Sequence, residues 1–166
     1  IGDLILSGVS SGWRRRVFKD EYSNGVTKSW KRIAYIGGGS GVLRIHGVMG
    51  GHARNTTGEG QVIFDILLAA RSGAIIRGNI SGRIPSGTGL NIEARGVTGG
   101  GETGDSLTIY LVKEDYSAFN ITCEAVHGIK LHNDNWSKTT TSGGVVFNLS
   151  SYAASERNNT IGNLHV

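Results

Sequence analysis

The chain has 166 residues, 38% of them hydrophobic and 18% charged, too apolar for a disordered segment and too often interrupted for a membrane-inserted span. A net charge of +4 allows phosphate, acidic sugar or nucleic acid as electrostatic partners without choosing among them. With 27 glycines, one proline (Pro85) and one cysteine (Cys123), no intrachain disulfide framework can form, and the chain turns often between stretches free to join hydrogen-bonded ladders.

It opens Ile1-Gly2-Asp3-Leu4-Ile5-Leu6 and closes Ile161-Gly162-Asn163-Leu164-His165-Val166, with five of six positions identical or chemically close. This reads as a repeat broken by an insertion. Its period of two, with a glycine that permits close backbone approach, suits a fibrous β-stalk in which chains wrap about an axis. Such a hexapeptide cannot bury its apolar face alone, so neighbouring repeats or chains are expected, and with them an oligomer. Residue 1 is not a methionine and no signal-peptide pattern follows it, so the chain is expected to be a piece of a longer protein.

Between the ends, alternating or apolar runs predict strands at 13–18, 29–36, 42–48, 61–70, 74–80, 90–94, 106–112, 119–126, 129–131 and 144–149. The 61–71 run is the best helical candidate. It is β-branched at its start, lacks a capping residue and lies between Gly60 and Gly73, so it is expected to be a strand buried on both faces. Turns are expected at Ser23-Asn24-Gly25, Gly37 to Gly41, Gly50-Gly51, Pro85 to Gly89, Gly99-Gly100-Gly101 and Ser142-Gly143-Gly144. The fold class that follows is all-β: an antiparallel, jelly-roll-like β-sandwich over residues 13–155, flanked by short β-stalk segments at 1–12 and 156–166.

Catalytic and metal-binding patterns are not evident. Glu114-Asp115 is the only adjacent acidic pair and reads as a solvated turn; the five histidines lack metal-ligand spacing with Cys123, itself expected to be a buried small hydrophobe. A histidine on a shared axis, His165 first, is the one metal arrangement left open. Gly37-Gly38-Gly39-Ser40-Gly41 lacks the lysine and the helix that a phosphate loop needs. No enzyme activity and no cofactor are expected.

Two stretches could bind. One is Trp13-Arg14-Arg15-Arg16, where alternation places Arg14 and Arg16 on one face, able to contact phosphates or acidic sugars; ordinary solvated strand charge is the alternative. The other is the loop holding His132, Asn133, Asp134, Asn135 and Trp136, a mix suited to stacking on and hydrogen bonding to a sugar. Its alternative is that Trp136 folds back over one end of the sandwich.

Trp30-Lys31-Arg32-Ile33-Ala34, followed by a glycine-rich stretch and Val42-Leu43-Arg44-Ile45, resembles the Trp-x-[Lys/Arg]-Ile-Ala strand that opens many distal domains of tailed-bacteriophage tail fibres. The terminal Gly-Asp-Leu and Gly-Asn-Leu strings are similar to the shaft repeats of such fibres. The resemblance implies a parallel homotrimer with a receptor-binding tip, in an extracellular virion fibre. Its partners would be other fibre or tail proteins and a host-surface glycan (lipopolysaccharide or capsule) or outer-membrane protein, with neither nucleic acid nor membrane insertion. It carries over no catalytic residue. A shaft-like string after the domain also allows a spacing role, and a carbohydrate-binding module attached to a polysaccharide-degrading tailspike or enzyme is the alternative function.

Overall fold

A computed structural model describes residues 4–5, 13–20, 28–51, 62–71, 74–83, 90–101, 104–113, 117–140 and 143–148. Among them are nine strands and no helix: β1 (Leu4–Ile5), β2 (Arg14–Asp20), β3 (Ser29–Gly51), β4 (Val62–Arg71), β5 (Ala74–Arg83), β6 (Leu90–Gly101), β7 (Gly104–Lys113), β8 (Ser117–Leu131) and β9 (Val145–Asn148). All pairings are antiparallel and belong to one sheet, ordered β1-β2-β8-β3-β7-β6-β9, with β4 on β3 and β5 on β4.

The length of β3 organises the sheet. At 23 residues it outruns any single partner on one edge, so Ser29 to Ile36 pair with β7 while Ser40 to Met49 pair with β4. Along its other edge β8 accompanies it from Ala34 to Gly51. The sheet therefore has two halves that share β3 and β8. Alternation turns Ile92 and Ala94, with Leu107, Ile109 and Leu111, inward from one half; Phe64, Ile66, Leu68, Ile121 and Cys123 face inward from the other. These residues form one cluster, so the sheet curls and closes both halves over a common core. Each fully buried leucine or isoleucine contributes about 2 kcal/mol relative to exposure.

Two expectations are corrected. Gly37 to Gly41 is not a hairpin turn but lies inside β3, where Gly37 to Ser40 bow out against the single residue Gly128 between the pairs Ile36–Ile129 and Gly41–His127. β8 bends at the same place, with His127 in the left-handed region (φ 62°). Glycine is required at position 41 by crowding: a Cβ there would lie 2.6 Å from the Val126 carbonyl oxygen and 2.7 Å from Ile129 Cγ1. The strands expected at 119–126 and 129–131 are accordingly one element. The second correction concerns β4, which is buried on one face only, because Ile63 and Leu67 point outward at 55% and 46% exposure.

Hairpins close at Arg71–Ala74 and Gly101–Gly104, and Gly50-Gly51 ends β3. The turns expected at 23–25 and 85–89 and the segment 156–166 lie outside the described residues, as does all of 1–12 except β1, which pairs with Arg14 and Arg15.

Candidate functional site

Beyond Leu131 the chain stays beside β3. The His132 backbone N–H donates to the Ile33 carbonyl (2.9 Å), and Trp30 and Ser137 exchange two backbone hydrogen bonds (2.8 and 2.9 Å). Between these anchors four residues, Asn133 to Trp136, face only Lys31 and Arg32, so they bow out from the strand.

Trp136 nevertheless packs against the core. Its ring meets Phe119 edge-on at 6.1 Å, with the Lys31 and Lys113 ammonium groups 5.9 and 5.4 Å from its centroid. Register explains both lysines. Lys31 lies opposite Leu111, and Lys113 lies two residues further along β7, so both extend the inward face at the end of the core. Their stems follow apolar surface and their charged heads settle on the indole, whose π face is negative.

The bowed segment is held by charge. Lys31 Nζ donates to the Asp134 backbone oxygen (2.6 Å) and Arg32 Nε to Asp134 Oδ2 (2.7 Å). His132 Nδ1 lies 3.9 Å from Asp134 Oδ1. Burial holds the His132 pKa below its ordinary value, and Arg32 lowers it further against the opposing pull of Asp134.

Beside Trp136 opens a cleft of about 340 Å³ lined by Val17, Phe18 and Lys19 of β2, Lys31, Phe119, Asn133 and Trp136. Phe18 and Phe119 belong to the core and close the cleft from beneath with only 3% and 6% of their surface exposed, whereas Lys19 and Asn133 are exposed at its rim.

The two candidate stretches thus approach each other. Trp136 and Asn133 line the cleft across from β2, and Asn135 is exposed beside them. His132 and Asp134 brace the segment. Arg16, opposite Cys123, is half-buried on the inward face of β2, and its charge helps depress His132. Arg14, opposite Ala125, instead donates to the His127 carbonyl and does not line the cleft. In the sequence Lys31 stands out only as part of the Trp30-Lys31-Arg32-Ile33-Ala34 motif, and no motif there singles out Phe18, Lys19, Lys113 or Phe119. Lys113 ends an alternating run and would have been found by following its inward face.

Elsewhere among the described residues two groups of charges are paired. On the outward face Arg44 binds Asp65 through two hydrogen bonds (3.0 and 2.7 Å) and reaches Glu124 at 3.5 Å, with His46 Nε2 3.6 Å from the same Glu124 oxygen. The hydrogen bond from Arg44 holds Asp65 below the usual carboxylate range. Glu93 is buried and accepts from Trp30 Nε1 and Arg95 Nε, each at 3.2 Å. Burial pushes the Cys123 thiol well above its ordinary pKa. Among the described residues no three His, Cys, Asp or Glu side chains gather as a metal site. Compared with protein-family models, curated proteins and solved structures, the chain matches none.

Proposed function

We propose that this chain is a non-enzymatic adhesive domain of a trimeric phage tail fibre, a β-sandwich flanked by stalk segments that contributes to attachment at the host-cell surface. The observation that carries the adhesive part is the cleft beside Trp136, where aromatic and basic side chains from β2, β3, β8 and the following segment converge. Support for the fibre comes from the terminal strings and from Trp30-Lys31-Arg32-Ile33-Ala34, the stretch of β3 that supplies one wall of that cleft. The outward face favours a homotrimer. It exposes Val42, Val48, Ile63 and Leu67 at 38–55%, while Arg44, Asp65 and Glu124 on the same face pair among themselves, so three copies about an axis would remove apolar surface from water without stranding a charge.

Threefold repetition of a weak site raises effective affinity, which suits a shallow cleft. Binding to host cells and to a glycan array tests the proposal: the chain binds, and Trp136→Ala, with its fold checked by its unfolding midpoint, lowers binding at least tenfold (about 1.4 kcal/mol or more), because the indole walls the cleft and holds the Lys31 ammonium beside it. Absence of cell and glycan binding in the folded protein overturns it. A carbohydrate-binding module of a polysaccharide-degrading protein is the second reading, favoured by a cleft complete within one chain. Light scattering separates the two, since the fibre reading requires a trimer.

A further inference from the structure

We infer that the cleft beside Trp136 selects a carboxylate-bearing sugar, with the carboxylate seated between Lys19 and Lys31. This rests on the adhesive reading above and gives its ligand a charge. A neutral sugar is ordinarily held by stacking its C–H face on an open aromatic face. Here the indole already has two ammonium groups within 6 Å of its centroid and the edge of Phe119 against it, so little ring face remains for a sugar.

The cleft offers positive charge instead. Among the described lining residues two are lysines and none is acidic. The nearby Asp134 carboxylate is engaged by Arg32 at 2.7 Å and turned into a local ion pair. Lys31 is fixed in place by the Asp134 backbone oxygen at 2.6 Å, so little conformational freedom is lost when an anion approaches it. Lys19 is exposed on the opposite wall. Asn133 at the rim supplies an amide that can both donate to and accept from hydroxyl groups. At about 340 Å³ the cleft lies at the small end of ligand sites, suited to one or two sugar rings rather than a long segment.

The test is calorimetric titration of the full chain with uronic-acid oligosaccharides, with neutral oligosaccharides of the same linkage and with a sugar phosphate, at low and raised ionic strength. The acidic sugar is expected to bind at least tenfold more tightly than its neutral counterpart, the scale of one charge-assisted contact, and to weaken as salt rises. Lys19→Gln, whose fold is checked by its unfolding midpoint, is expected to lose most of that preference, while Arg71→Gln at the end of β4 keeps it. Equal binding of neutral and acidic sugars, acidic binding indifferent to Lys19→Gln, or capture of the sugar phosphate alone each overturns the inference and leaves the adhesive reading standing. Cell binding without any sugar binding overturns it too. If neither sugars nor host cells are bound, the adhesive reading falls as well.

Discussion

A Cβ at Gly47 would lie 2.2 Å from the Asn120 carbonyl oxygen, and its φ of 148° belongs to a region that side chains rarely enter. Gly82 repeats the situation, with φ 114° and the Ile63 carbonyl oxygen 2.1 Å away. Both glycines lie directly opposite Phe64, one on either side, so buried Phe64 stands between two positions without side chains. Gly47→Ala is therefore expected to lower stability in urea by about 1–3 kcal/mol, the cost of a strained backbone plus displacement of β8. His132 gives a prediction of a different kind. Its folded pKa lies below the ordinary 6.5, so the unfolded chain takes up the proton first, and stability that is complete above pH 6.5 declines as pH falls below it. His132→Gln should flatten that decline in unfolding curves recorded between about pH 7 and pH 5. At this scale the sequence made Trp136 and its polar neighbours visible as a binding mix. It concealed Lys19, Lys113 and Phe119, because their convergence depends on the register of three strands and no local pattern records it.

Period-two alternation identified most of the strands. In β7, Leu107, Ile109 and Leu111 alternate with Ser106, Thr108, Tyr110 and Val112, but both sets are buried, so alternation gives the strand and not which face lines the main core. It failed where glycine clusters interrupt an element. A glycine run looks the same whether the chain reverses or merely bows, and the outcome at 37–41 is decided by β8, which keeps pairing with β3 on both sides of the interruption. The same element supplies a graded prediction. Gly41→Ala would drive a methyl group against Val126 and Ile129, whereas a Cβ at Gly37 meets only the Tyr35 ring at 3.4 Å and one at Gly144 meets nothing within 4 Å. Thermal unfolding should place Gly41→Ala far below the parent and leave Gly144→Ala at or slightly above it, with Gly37→Ala close to the parent. A Gly41→Ala protein as stable as the parent would show that the close approach of β3 and β8 is wrong.

For the whole molecule, composition and turn density led correctly to an all-β, antiparallel chain. They did not reveal that one curled sheet encloses the core, because that depends on two strands long enough to serve both halves. The outward apolar face bears on the proposed trimer. Ile63, 55% exposed on β4, is expected to tolerate a charge in an isolated chain but not at a subunit contact, so Ile63→Glu should shift the assembly to monomer in light scattering while leaving the fold intact. The shared strands also have a consequence in time. β8 is the partner of both β2 and β3, yet it is made after seven of the nine strands, and its contacts reach back to Arg14. During synthesis β2 waits with only the two residues of β1 beside it while β3 holds one edge open. Closure comes only when residues 117–131 emerge and zip the two together, which makes folding late, long-range and slow, and leaves the growing chain exposed to mispairing with its own copies until then.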